Sequence, residues 1–220
     1  MKLPLLALTL FLSVFYCHAQ EAHHIGFSPG VSFVRVSGDD NLQQQGLGQG
    51  FFLRGTFTWD MKQKWLEGGG GIEVGKMSGK VETRDTFTNI FGQVHKRWSE
   101  SWEEFASPYA NVYMLTNVKW ILGEGKYLYG GGVTGMMVAR SGLLYRETAV
   151  NWYLGLTGGM VFYIDDITGL DLGLGWRRTK LTGTGYDGSN DLQPALRELM
   201  VESFALKYVT LSFGLVVHFE

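Results

Sequence analysis

The segment YVTLSFGLVVHFE, residues 208–220, alternates with a period of two. Val209, Leu211, Phe213, Leu215, Val217 and Phe219 are all apolar. Thr210, Ser212, Gly214, Val216 and His218 stand between them and are mostly small or polar. Successive side chains of a β-strand point to opposite faces, so this stretch has one greasy face and one wet face. A soluble protein packs the greasy face on a core. An outer-membrane barrel turns it toward lipid and lines its lumen with the polar face.

The same alternation recurs along the chain. It predicts eight strands, over residues 25–36, 49–60, 65–78, 105–116, 127–139, 150–163, 168–180 and 201–219. In the second, Phe51, Leu53, Phe57 and Trp59 oppose Phe52, Arg54, Thr56, Thr58 and Asp60. In the seventh, Leu170, Leu172, Leu174 and Trp176 oppose Asp171, Gly173, Gly175 and Arg177. The fourth is apolar throughout, and its facing is ambiguous. Most of these segments contain glycine, which would cost a helix about 1 kcal/mol each. With 31 glycines and only 4 prolines, the composition also suits β structure with closely approached backbones.

The predicted connections alternate in length. Residues 37–48, 79–104 and 181–200 are long and mostly polar, whereas 61–64 and 164–167 are tight. Residues 117–126 and 140–149, both near ten residues, interrupt the rhythm. Long loops outside and short periplasmic turns are the pattern of an up-and-down barrel in the outer membrane. A Greek-key sandwich has no reason to alternate in this way.

The first nineteen residues read as a secretory signal peptide. Lys2 is the positive start, 3–16 is the apolar stretch, and Cys17-His18-Ala19 offers a cleavage site. The barrel domain is then 20–220. Cys17 is the only cysteine, so its removal leaves no disulfide framework. A lipoprotein reading would lipidate Cys17, which Tyr16 does not suit. The formal net charge of −2 gives no electrostatic case for nucleic acid.

Inward parity collects Arg54, Glu67, Glu73, Asp171 and Arg177, with Lys207 assigned to the same face. An eight-stranded barrel has room for packed side chains and not for a channel, so these charges are expected to pair with one another. Trp59, Trp65, Trp120, Tyr127 and Tyr163 fall near the short turns and are read as an interfacial aromatic girdle. Arg84, Lys96, Arg97, Trp98 and Trp102 lie in the longest connection and form a candidate binding surface for sugar, lipid headgroup or protein.

Gly130 to Gly135 fits G-x-G-x-x-G, but within a strand pattern the dinucleotide reading fails. His23 and His24 are read as part of a periplasmic tail, and no histidine pair shows metal-ligand spacing beyond these neighbours. No cofactor or metal is expected. The acidic segments Asp39-Asp40-Asn41 and Asp187-Gly188-Ser189-Asn190-Asp191 suit turns, or divalent ions.

The leader ending CHA, the strands WLEGGGGIEVG, FASPYANVYMLTNV and KYLYGGGVTGMMVA, and the closing strand together resemble the small eight-stranded outer-membrane β-barrel family, OmpX/OmpA-like and porin-like, of Gram-negative bacteria. The likeness is one of pattern over the whole chain after the leader. It implies an all-β, antiparallel up-and-down transmembrane barrel. It also implies outer-membrane lipid, lipopolysaccharide and the barrel assembly machinery as partners, with an envelope protein as a further candidate. The closing strand departs from the family in ending on Glu220, with Phe219 penultimate.

The function expected is non-enzymatic: a packed polar lumen with external loops for envelope structure or binding. Two alternatives stand beside it. One is a lipid-modifying barrel enzyme, which would draw on His95 with Ser99 and Glu100. The other is a soluble lipocalin-like carrier, which would place Arg54, Glu73 and Asp171 on the outside.

Overall fold

The computed structural model describes residues 23–37, 46–61, 63, 65–88, 94–144, 148–182 and 203–219. The expected leader and both acidic segments lie outside the described residues. Eight strands follow in order: β1 His23–Ser37, β2 Gly46–Asp60, β3 Leu66–Thr88, β4 Val94–Gly123, β5 Lys126–Arg140, β6 Thr148–Tyr163, β7 Thr168–Thr182 and β8 Ser203–Phe219. Each pairs antiparallel with the next, and β8 returns to β1 to close the barrel. Closure leaves no strand edge unpaired, which is the condition for crossing a bilayer with strands.

Three tight turns share one end of the barrel. Residues 61–65 join β2 to β3, with Leu66 donating its N–H to the Gln63 carbonyl at 2.8 Å. Glu124-Gly125 joins β4 to β5, and Gly125 takes a φ of 68°, a left-handed conformation that glycine adopts without a Cβ penalty. Residues 164–167 join β6 to β7. There Asp165 Oδ1 accepts the N–H groups of Ile167 at 2.8 Å and Thr168 at 2.5 Å. These two donors, Thr168 first, hold the Asp165 carboxyl below its ordinary value.

Two predicted connections prove to be mostly strand. β3 and β4 run through 79–104 as a paired hairpin, leaving 89–93 between them, and β4 continues through 117–123. The connections at the tight end are therefore all short, including the one that 117–126 had lengthened in the sequence, and the length of 79–104 goes into the paired strands themselves.

The polarity of the barrel decides its solvent. Ile25, Phe27, Val31 and Phe33 of β1 and Val209 to Val217 of β8 turn outward; Phe27 is 56 % exposed and Phe213 55 %. The inward residues Ser28, Ser32, Thr210 and Ser212 are buried. From Val209 to Val217 the apolar outer face is nine residues long, which matches the ~9–11 residues of a tilted spanning strand. A lipocalin-like carrier would have the opposite polarity, and Arg54, Glu73 and Arg177 all point inward.

Further from the tight turns the polarity inverts. Lys207 of β8 pairs with Arg35 of β1 on one side and Arg178 of β7 on the other. Arg35 and Arg178 are exposed, and Lys207 shares the outward parity of Val209. Lys207 is thus not the lumen residue that its charge suggested. At the same level the lumen turns apolar: Val34, Val36, Phe105, Leu181, Phe204 and Leu206 are all buried. Beyond the hydrocarbon the outer face meets water, so the chain reverts to the arrangement of a soluble barrel, greasy inside and charged outside. Among the described residues, the buried charged side chains of the lumen lie in its middle and its tight-turn half.

Candidate functional site

The lumen is organised in three layers, and the middle one is built around Glu73. β2 and β3 pair Arg54 directly with Glu73. Inward parity on both strands then aims a guanidinium and a carboxylate into the same space. Arg54 donates from Nε at 2.9 Å and from Nη2 at 2.8 Å to Glu73 Oε2. The other carboxylate oxygen, Oε1, accepts from Arg177 Nη1 at 2.7 Å, Tyr109 Oη at 3.1 Å and Asn111 Nδ2 at 3.1 Å. Glu73 is 0 % exposed, and five donated hydrogen bonds replace its lost water. The Arg177 guanidinium lies 5.4 Å from the Tyr113 ring centroid and 5.5 Å from that of Tyr153. These faces offset part of the cost of its burial.

Glycines make room for this layer. A Cβ on Gly71 would lie 2.6 Å from the Tyr113 hydroxyl, and one on Gly159 would lie 2.5 Å from that of Tyr129. The inward tyrosines lie across glycine on facing strands, so the glycine runs of β3 and β6 are a packing requirement.

Toward the tight turns the polar groups form separate pairs. Asp171 accepts from Tyr129 Oη at 2.9 Å, and Glu67 from Asn117 Nδ2 at 3.0 Å. Lys119 Nζ contacts Asp60 Oδ1. His24 sits beside them, with Nε2 3.4 Å from Asp60 Oδ1 and Nδ1 3.1 Å from Tyr163 Oη. Its Nδ1 also faces Nδ1 of His218 at 3.3 Å. His23 and His24 are therefore not part of a tail: both lie in β1.

The structure brings Arg54, Glu73 and Arg177 together and gives Glu67 and Asp171 partners of their own. It spreads the aromatic set. Trp65 and Trp120 stand on the outer surface, 50 % and 54 % exposed. Trp59 is buried. Tyr127 and Tyr163 turn inward and line the cavity at the tight-turn end. The candidate binding residues lie in strands. Arg84 pairs with Trp98, Asp85 with Arg97 and Thr86 with Lys96, although the side chains of 83–99 are outside the described residues. Trp102 projects outward opposite Lys80, whose Nζ meets Glu100 Oε1 at 3.0 Å.

Sequence reasoning missed Tyr109 and Asn111, because the predicted fourth strand, 105–116, gave no clear facing. Once Tyr109 and Tyr113 are placed inward, Asn111 between them follows by parity.

No family model matches the chain, and no curated protein does. Among solved structures it is similar to the Neisserial surface protein A, at 12% identity and a TM-score of 0.47, covering 88% of this chain and 96% of that one. It is similar to the outer membrane protein AlkL, solved in lipid bilayers, at 15% identity and a TM-score of 0.47, covering 91% of each. A third likeness is to the outer membrane protein OprG from Pseudomonas aeruginosa, at 10% identity and a TM-score of 0.41, covering 91% of this chain and 97% of that one. Likenesses this distant carry no function across, and the fold assignment rests on the chain's own strand pairing and polarity. By those two observations it is an eight-stranded antiparallel up-and-down β-barrel of the outer-membrane type.

Proposed function

We propose that this protein is a non-enzymatic barrel of the Gram-negative outer membrane, held by its apolar band, with the external β3–β4 hairpin as its binding element. The observation that carries this reading is the filled lumen. The Glu73 layer crosses the middle of the barrel, and Phe52, Phe105, Met137, Tyr153, Phe204 and Leu206 fill the space outside it. A diffusion pore needs a continuous aqueous path, which packed layers of this kind interrupt. The lipid-modifying alternative would need His95 close to Ser99 and Glu100. His95 and Ser99 have side chains outside the described residues, so that alternative gains no support from the geometry.

The lipid partner fits the row Arg35, Lys207 and Arg178. On the membrane side of this row stand Phe33, Val209 and Trp176, paired strand to strand in the same order. Cations directly above an apolar band sit at the depth of headgroup phosphates. Lipopolysaccharide of the outer leaflet supplies such phosphates. The closing strand β8 is the segment that the barrel assembly machinery would read.

Two measurements test this reading. Reconstituted in planar bilayers, the protein is expected to pass no steady ionic current, and a stable conductance would overturn the filled-lumen argument. Purified from outer membranes in mild detergent, it is expected to retain phosphorylated glycolipid. The triple variant Arg35→Gln, Arg178→Gln, Lys207→Gln should lose most of it, and equal retention by the variant would remove the lipid assignment.

A further inference from the structure

We propose that His24 and His218 form a binding site for a divalent transition metal, zinc being the simplest, that bridges the first and last strands where the barrel closes. The two residues are direct partners in the β1–β8 ladder, so backbone register alone sets both rings side by side on the inward face. The ring centroids are 4.9 Å apart, and the two Nδ1 atoms face each other at 3.3 Å. A tetrahedral ion with metal–nitrogen bonds of about 2.0–2.1 Å separates its ligands by about 3.3–3.4 Å. The observed spacing therefore equals the bite such an ion requires.

The surroundings select the correct tautomer. Asp60 Oδ1 lies 3.4 Å from His24 Nε2, on the far side of the ring from His218. A carboxylate there holds the proton on Nε2 and makes Nδ1 the acceptor nitrogen, which a metal would take over from the Tyr163 hydroxyl, the outer-shell arrangement of histidine-bound zinc. Tyr163 Oη, 3.1 Å from the same Nδ1, stands next to the position the ion would take. A cavity of ≈ 360 Å³, lined by His24, Asp60, Lys119, Tyr163, Asp165 and His218 among others, opens at the tight-turn end and gives an entry path and room for water ligands.

A second grouping, His24 with Asp60 and Glu67, also brings ligand atoms within 4.8 Å of one another. It is the weaker candidate. Lys119 Nζ already occupies the Asp60 carboxylate and Asn117 donates to Glu67, so a divalent ion there would lie beside an ammonium. On the His218 side the ion faces two imidazole nitrogens, and Asp60 acts through the His24 ring.

The test uses the tag-free chain folded in detergent micelles, with zinc binding followed by calorimetry and Cu²⁺ binding by electron paramagnetic resonance. One ion per chain is expected, with two nitrogens coupled to the copper. His24→Ala and His218→Ala should each weaken binding at least tenfold. Asp60→Asn should weaken it by about 10–100-fold, as removal of outer-shell partners does. His23→Ala, on the outward face, should leave it unchanged. Zinc should also raise the temperature at which the wild-type barrel opens in SDS and fail to do so for the His218 variant. Should His218→Ala not fold, His218→Gln retains a polar group and is read in the same way. Binding that survives loss of either histidine, a copper spectrum with a single nitrogen, or no stoichiometric binding would overturn the proposal.

Discussion

Arg177 on β7 reaches across the barrel and donates from Nη1 to Glu73 Oε1 on β3 at 2.7 Å. The two residues are 104 positions apart in sequence. Arg54 holds the other oxygen of the same carboxylate at 2.8 Å. With Tyr109 and Asn111 of β4 also on Oε1, one carboxylate ties together four strands on both sides of the lumen, and the barrel cannot flatten without breaking it.

The first prediction concerns that carboxylate. Glu73→Ala would leave two buried guanidiniums facing each other with no anion. Removing one partner of a buried ion pair typically costs about 3–5 kcal/mol. The variant should unfold at markedly lower urea in micelles. Replacing all three charged groups together by apolar residues of similar size should cost far less, because burying no charge is cheaper than burying an unpaired one. A triple variant as weak as Glu73→Ala would mean that the network contributes through its shape.

The second prediction concerns the outer core. Phe204 is fully buried among Val36, Leu181 and Leu206 in the part of the lumen that turns apolar. Phe204→Ala should cost about 3–5 kcal/mol of unfolding free energy. Thr210→Ala, on the same parity of β8 but in the polar half, should cost about 1 kcal/mol or less. Equal losses would show that the two halves are not packed differently.

Much of this arrangement was legible in the sequence, and the exceptions share a physical cause. The period-two pattern carried Arg54, Glu73 and Arg177 inward, because parity is a local property of a strand. Strand pairing added Arg54 to Glu73. Parity could not say that Arg177 reaches Glu73, since β7 and β3 are not neighbours and only closure brings them face to face. The same holds for His24 and His218, which are 194 positions apart and become partners only because β8 returns to β1. Lys207 was misassigned for a different reason. A charged residue among apolar ones reads as inward when the outside is lipid, but at the row Arg35–Lys207–Arg178 the outside is no longer lipid. The pattern kept its period and exchanged its faces.

The third prediction follows from the tight turn at 164–167. The exposed Asp165 carboxyl accepts two backbone N–H groups, which lower its pKa from the ordinary 3.8. A carboxyl lowered in the folded state contributes stability that is fully present above its unfolded value and is lost as pH falls through its folded value. Asp165→Ala should therefore be slightly less stable than wild type near neutral pH. The difference should shrink as the pH is taken below 3.8. Urea midpoints measured across that range check the sign. A difference that grows on acidification would contradict the hydrogen-bonded turn.

The fourth prediction uses depth in the bilayer to separate a lipid-facing strand from one facing water. Phe213 lies at the centre of the outward run from Val209 to Val217, and Val209 lies at its outer edge, beside the cationic row. An arginine in place of Phe213 would put its charge near the bilayer midplane, at a cost of about 2–4 kcal/mol. At Val209 the side chain can extend to the headgroups, and the cost falls to about 0–1 kcal/mol. Unfolding from phospholipid vesicles should thus rank wild type and Val209→Arg close together, with Phe213→Arg well below. In a barrel whose outer face met water, both substitutions would be nearly neutral, because an exposed strand residue gains a hydrated charge at no desolvation cost. Similar, small effects at the two positions would therefore count against the membrane orientation itself. A large loss confined to Phe213 fixes the middle of the apolar band on β8.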